Sequence, residues 1–321
     1  MHTRNGRHVS AVCIGGSAGA LEPLQRVVAT LPESIDAAVF VTVHTPADAV
    51  SALPHILSRS SPLFATHALD GAPFTGGRIY IAPPDCHLIV NEATMSVVKG
   101  AKENGYRPSI DVLFRSAAQS HGAAACGVLL SGALDDGVAG LQAIHQAKGY
   151  CIAQEPEEAA FSDMPLNAIR MGNVDAVRSA DAIATEILAF ALRAVQNGAY
   201  GARPQPDERR DGRPSVFTCP DCGGTLWEQR EGQMHFRCRT GHSYSPETMA
   251  SLQRDEIERA LFSAMRALQE RGDMLARISE RALERGDART VSRLQQQIET
   301  GKGEQDAINR ILDRLLSSSS A

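Results

Sequence analysis

The chain has 321 residues, 43% of them hydrophobic, with a formal net charge of −5 and a pI near 6.1. That apolar content suffices for one sizeable core plus an accessory module, and the acidic balance gives no electrostatic case for nucleic acid or an anionic membrane. No apolar run approaches a transmembrane span, and Met1 to His8 is polar and basic without the apolar segment of a signal peptide, so the sequence predicts a cytoplasmic protein with no nucleic-acid partner and no membrane insertion.

The first strand, near residues 9–14, ends abruptly in Gly15-Gly16-Ser17-Ala18-Gly19, and a helical stretch follows over 21–31. Strand, sharp turn and helix hold a serine hydroxyl exposed at the carboxyl edge of a parallel sheet, beside free N–H groups of the helix start. A second apolar strand, 37–43, is followed at once by His44. Helix 49–58, a strand near 78–82 and an antiparallel hairpin over 87–92 and 94–98 come next. Helix 109–121 leads to a strand near 125–130, which opens into Ser131-Gly132-Ala133-Leu134-Asp135-Asp136-Gly137. Helix 137–147, strand 150–154, helix 164–171, strand 174–177 and a helix over about 180–196 close the region. Such alternation predicts an α/β fold, a doubly wound and mostly parallel sheet with helices on both faces and one antiparallel hairpin.

Serine, histidine and aspartate each fall beyond a strand end, where open α/β sheets collect their chemistry. They are the residue types needed for a nucleophile, a base and an orienting carboxylate. Spacing alone leaves Asp135 and Asp136 as rival acids, and His55, His67 and His87 as rival bases that follow less clear strands. Gly-x-Ser-x-Gly also marks α/β-hydrolases, but those order their triad Ser, acid, His. The G-x-G-x-x-G of a dinucleotide cradle is missing.

Residues 197–215 are rich in Gly, Pro, Arg and Asp and predict a flexible linker. Beyond them stand Cys219-Pro220-Asp221-Cys222 and Cys238-Arg239-Thr240-Gly241-His242. Two such pairs supply four N/S ligands with no open position, which describes a structural tetrahedral Zn²⁺ site in a small zinc ribbon over 216–246. A redox CxxC would leave Cys238 and His242 without a role. Cys13, Cys86, Cys126 and Cys151 sit singly in or beside apolar segments and read as core thiols. Residues 247–316 predict a helical hairpin or coiled coil, broken at Gly286-Asp287. Its apolar seams run through Ile257, Leu261, Ala264, Leu268, Leu275, Ile278 and Ala282, and through Val291, Leu294, Ile298, Ile308, Leu312 and Leu315. Residues 317–321 predict a disordered tail.

The glycine-serine turn, Val43-His44-Thr45-Pro46, Ile79-Tyr80-Ile81-Ala82-Pro83-Pro84-Asp85-Cys86-His87, Arg107-Pro108-Ser109-Ile110-Asp111-Val112-Leu113-Phe114-Arg115-Ser116 and Ser131 to Gly137 occur in that order. Together they make residues 1–196 resemble the catalytic domain of the CheB-type chemotaxis protein-glutamate methylesterases. The resemblance implies a Ser17 nucleophile, a His44 base, an Asp136 orienting acid and Ala133 as a backbone oxyanion donor. It implies hydrolysis of glutamate methyl esters on chemoreceptor-like proteins, deamidation of receptor glutamine, contact with other chemosensory proteins and no cofactor for catalysis. Ala18, Ala133 and Val43 stand where similar enzymes often carry threonine, methionine and glutamine. The best-known members carry a receiver domain ahead of the esterase; about eight residues precede the first strand here, so none is expected. A non-catalytic adaptor in a chemosensory complex is the alternative, which has no physical need of all three triad residues.

Overall fold

Runs of small and β-branched apolar residues build one parallel sheet, and their alternation decides which helices cover which face. In the computed structural model the described residues are 9–197, 212–229 and 234–317. The strands of the large sheet are β1 (Ser10–Gly16), β2 (Ala37–Val43), β3 (Phe64–His67), β4 (Arg78–Ile81), β7 (Ala125–Leu129), β8 (Tyr150–Gln154) and β9 (Ala176–Arg178). Their order is β3-β4-β2-β1-β7-β8-β9, with every pairing parallel. The strands β5 (His87–Val90) and β6 (Met95–Val98) form the antiparallel hairpin expected between them.

The helices are α1 (Leu21–Ala29), α2 (Leu53–Ser60), α3 (Ile110–His121), α4 (Val138–Gln146), α5 (Asp163–Arg170) and α6 (Ala180–Asn197). Side chains of a strand alternate between faces. On one face Val12, Ile14, Val39 and Val41 pack with Leu24, Val28, Ile183 and Ile187 of α1 and α6. On the other, Cys13 and Phe40 pack with Leu113, Phe114, Leu141 and Ile144 of α3 and α4. The chain runs outward from β1 on one side through β2 and β4, then returns to place β7 on the other side of β1. This reversal makes the carboxyl ends of β1 and β7 the switch point of the sheet, the usual place for a site in such folds.

Edge strand β3 was not expected from the sequence. Its Phe64 is 58% exposed, so the segment lacks the apolar run that marks the central strands. Cys13, Cys126 and Cys151 are buried and free, as core thiols should be, whereas Cys86 is only partly buried.

A second sheet is antiparallel, with β10 (Gly212–Thr218), β11 (Thr225–Gln229), β12 (Phe236–Cys238) and β13 (Ser243–Tyr244) in sequential order. Strand β10 begins within the span expected as linker, and residues 198–211 of that span lie outside the described residues. The small sheet belongs to the same compact unit as the large one, a unit that ends at Met249.

The second unit, Ala250–Ala321, is formed by most of α7 (Pro246–Glu284) and by α8 (Ala288–Ser317). Gly286, with φ +71°, makes the turn between them. Arg254 donates to the Leu315 carbonyl, so the two helices run antiparallel. The seam of α7 differs from the expected one. Ile257 and Ile278 are 51% and 41% exposed, while Ser279 and Ala282 are buried and Met265 and Gly272 are partly buried. Leu261, Leu268, Leu275 and Ala282 hold their places at a spacing of seven, but the alternate seam positions are 258, 265, 272 and 279, and the apolar choice of Ile257, Ala264 and Ile278 falls one residue short of three of them. In α8 the gap between Ile298 and Ile308 is filled by Gly301 and Gln305. The last expected segment, the tail, lies outside the described residues except Ser317, which ends α8.

Candidate active site

Strands β1, β2 and β7 are adjacent, and each delivers one polar side chain past its carboxyl end. Ser17 follows β1, and its N–H donates to the Ser131 carbonyl at 2.9 Å. The Ser131 hydroxyl donates to the Ala18 carbonyl at 2.8 Å and so fixes the turn from the β7 side. Gly19 completes the turn with φ +73°, a conformation that favours glycine. His44 follows β2, tied to β1 by its own N–H to the Gly16 carbonyl at 3.2 Å.

Nδ1 of His44 lies 3.0 Å from Ser17 Oγ, and its Nε2 lies 2.8 Å from Asp136 Oδ2. An ionised carboxylate only accepts, so Nε2 carries the proton and Nδ1 is left to accept from the serine hydroxyl. The imidazole is 6% exposed and the carboxylate 1%. The ring of Tyr106 covers one imidazole face, with centroids 3.6 Å apart.

Asp136 is held by the start of α3. Its Oδ2 also accepts the Ile110 N–H at 2.7 Å, and its Oδ1 accepts the Ser109 hydroxyl at 2.8 Å, the Asn104 amide at 3.0 Å and the Asp111 N–H at 3.3 Å. A helix N-terminus is a natural seat for an anion. Burial disfavours the charge, but the His44 bond, the Ile110 N–H and the Asn104 amide outweigh it and hold Asp136 below the usual carboxylate range. Asp111 is its mirror image. It sits in the first turn of α3, and its Oδ1 accepts the N–H groups of Gly137 and Gly140 at the start of α4. Burial and the nearby Asp136 push Asp111 upward, against the pull of Arg115 and the Gly140 N–H. Each carboxylate therefore caps the other's helix.

The rival residues lie elsewhere. Asp135 turns away to accept the hydroxyls of Ser245 and Thr248, each at 2.8 Å. His87 is buried with its Nε2 bonded to the Ala101 carbonyl at 2.9 Å and its Nδ1 accepting the Ser109 N–H at 3.2 Å. His67 contacts the Ile81 carbonyl, and His55 is exposed. Ala133 is partly buried beside Gly132. A Cβ on Gly132 would stand 2.9 Å from Ser17 Cβ and 2.0 Å from Met164 Sδ, so the loop passes directly over the serine. The Ala133 N–H has no acceptor among the described residues. Sequence reasoning missed Asn104, Tyr106, Ser109 and Asp111. Only Ser109 and Asp111 carried a signal, since both lie at the N-terminus of a helix and inside a motif already noted, though without a role assigned to them.

The second sheet brings its sulfur and nitrogen atoms together. Cys219, Cys222, Cys238 and His242 offer ligand atoms that all lie within 4.8 Å of one another. Cys222 Sγ is 3.7 Å from Cys238 Sγ, and His242 Nδ1 is 3.5 Å from Cys238 Sγ and 3.6 Å from Cys219 Sγ. A tetrahedron built on Zn–S bonds of about 2.3 Å has edges of about 3.8 Å, so the donor set and its spacing fit that ion. Two knuckles shape it. Cys219 N–H donates to the Gly224 carbonyl at 2.8 Å, and Cys238 N–H to the His242 carbonyl at 2.9 Å.

Comparison with known proteins finds the CheB methylesterase family model matching residues 12–187. A protein-glutamate methylesterase/protein-glutamine glutaminase of Rhizobium johnstonii is 36% identical over 181 residues, 55% of this chain and 49% of the relative. Another, from Anaeromyxobacter dehalogenans, is 37% identical over 57% of this chain and 54% of its own. The chain thus spans about half the length of the curated relatives it matches. The crystal structure of the Thermotoga maritima CheB methylesterase catalytic domain superposes with a TM-score of 0.55 at 29% identity, covering 56% of this chain and 98% of that one.

Proposed function

The chain belongs to the CheB methylesterase family, and from that premise we propose that it is a serine-type carboxylic-ester hydrolase of glutamate methyl esters on chemoreceptor-like proteins. The observation that carries the reading is the continuous hydrogen-bond line Ser17–His44–Asp136 at the ends of three adjacent strands. Ser17 Oγ attacks the ester carbonyl while His44 Nδ1 takes its proton. The imidazolium so formed is stabilised by Asp136, which stays ionised. The Ala133 N–H is the donor candidate for the tetrahedral oxyanion. As the C–O bond breaks, Nδ1 returns the proton to the leaving methanol oxygen. Water, deprotonated by the same Nδ1, then releases the acyl group as glutamate and restores Ser17. A glutamine side chain follows the same path with ammonia leaving. These steps are carried by the chain's own side chains and backbone.

The reading places the protein in the cytoplasm, where the signalling ends of such receptors lie. No helix among the described residues is long and apolar enough to cross a membrane. Within the small sheet we propose a structural Zn²⁺ held by Cys219, Cys222, Cys238 and His242, whose role is to fold a module too small to bury a core of its own. The test of the enzymatic reading is methanol release from methylated receptor peptides by the wild type and by Ser17→Ala.

A further inference from the structure

The small C-terminal sheet is bonded directly to the loop that supports the triad. Edge strand β13 lies beside residues 102–104, with a parallel bridge between Glu103 and Ser243. Asn104 N–H donates to the Ser243 carbonyl at 2.7 Å, and Ser243 N–H donates to the Lys102 carbonyl at 3.3 Å. The side chain of Asn104 is 2% exposed and fully engaged. Its Oδ1 accepts the Ser245 N–H at 3.0 Å, and its Nδ2 donates to Asp136 Oδ1 and to Asp111 Oδ2, both at 3.0 Å. A second strap runs close by, where the hydroxyls of Ser245 and Thr248 clamp Asp135, the neighbour of Asp136.

Several features show that the arrangement is built. Asn104 has φ 52°, a left-handed conformation in which asparagine is enriched among non-glycine residues. The loop is pinned at its far end by Arg107, which donates to Asp85 Oδ1 and to the Gly100 carbonyl, both at 2.6 Å. Glu103 pairs with Arg115 of α3. The same loop carries Tyr106 onto the face of His44. An amide is also the right group between Asp136 and Asp111. Its two N–H donors bind one carboxylate each, where another acceptor would repel both.

We propose that Asn104 is a positioning residue through which the docked C-terminal sheet holds Asp136, so that residues 243–248 form part of the support of the triad. The ribbon then acts on the chemistry without touching substrate. It fixes Asn104 from the Oδ1 side, and Asn104 fixes the carboxylate that orients His44. This inference rests on the triad reading above.

The test uses the full chain and two variants, Asn104→Gly and the pair Ser245→Ala/Thr248→Val. Glycine keeps the left-handed backbone and the bond from its N–H to Ser243, and removes only the amide. The pair loosens the strap and touches no triad residue. Two readouts are taken: kcat and KM on a glutamate methyl ester peptide, and the downfield proton resonance of His44 Nε2–H. Asn104→Gly should lower kcat about tenfold with KM within about twofold, and shift or broaden the resonance. The pair should move the resonance in the same direction with a smaller loss, about threefold in kcat. An Asn104→Gly protein that melts like the wild type and keeps both kcat and resonance overturns the proposal. An unchanged resonance and kcat in the Ser245/Thr248 pair, which cuts the hydroxyl strap on Asp135 and leaves the backbone bonds to residues 102–104 in place, overturns the part of the proposal that gives residues 243–248 a share in supporting the triad. If Asn104→Gly does not fold, Asn104→Ser, which also shortens the side chain away from Asp136 and Asp111, takes its place with the same expected and overturning results. A wild type without the resonance, whose rate survives Ser17→Ala, overturns the triad reading itself and this inference with it.

Discussion

The ring of Tyr106 lies flat on the imidazole of His44, with centroids 3.6 Å apart and planes 9° apart. The contact leaves the two ring nitrogens free for Ser17 and Asp136. In the proposed reaction the imidazole gains a charge, and an aromatic face stabilises a cation by about 0.5–2 kcal/mol. Tyr106→Ala should therefore lower kcat about tenfold with little change in KM. Tyr106→Phe should keep most of the rate. Steady-state kinetics on a glutamate methyl ester peptide check this, and a Phe variant as slow as the Ala variant would mean that the hydroxyl, not the ring face, matters.

Gly132 passes so close to Ser17 that a single methyl group has no room. A Cβ would meet Met164 Sδ at 2.0 Å, and Met164 is fully buried. Gly132→Ala should cost about 1–3 kcal/mol of stability through overpacking and should displace the Ala133 N–H proposed as the oxyanion donor. Denaturant unfolding and ester hydrolysis measure the two effects. A variant with wild-type stability and rate would show that the loop shifts freely.

Asp135 gives the docked sheet a pH dependence. Burial raises its carboxyl to about 6 from an ordinary 3.8, against the pull of the Ser245 and Thr248 hydroxyls. A raised folded value means that the folded state binds the proton more tightly. The resulting stability is fully present below about pH 4 and is lost as pH rises through about 6. The loss is at most about 3 kcal/mol. Asp135→Asn keeps an acceptor for both hydroxyls and should flatten this part of the stability profile between pH 4 and 7. Urea unfolding of the two proteins across that range is the check; parallel profiles would contradict it.

Much of the fold was legible because central strands are uniformly apolar and end in chemistry. Residues 37–43 followed by His44, and 125–130 followed by the Asp135-Asp136 loop, show this plainly. Strand β3 was not legible, since an edge strand with an exposed Phe64 has no burial to advertise. The support of Asp136 by Asn104 was also hidden. It depends on Ser243 and Ser245, about 140 residues further along, and polar residues that meet only through tertiary contact leave no periodic trace. The sequence separated the ribbon from the sheet domain by a linker, yet both share one compact unit. Composition reports how stiff a linker is, and nothing of what its far end binds.

That packing changes what metal removal should do. One Zn²⁺ per chain is expected in freshly purified, reduced protein, and none in Cys219→Ser. Because β13 is bonded to residues 102–104, chelation should lower the melting temperature of the unit that ends at Met249 as a whole. Elemental analysis and calorimetry with and without a chelator measure both. Absence of zinc in the purified protein contradicts the site, and a separate small transition would contradict the coupling.

The most direct test of the central claim is methanol release from methylated chemoreceptor peptides by the wild type and by Ser17→Ala. A nucleophile and its base act as a unit, so the account predicts turnover by the wild type and a fall in kcat of about 10⁴-fold or more in Ser17→Ala, with His44→Ala nearly as slow. A Ser17→Ala protein that releases methanol at close to the wild-type rate would contradict it.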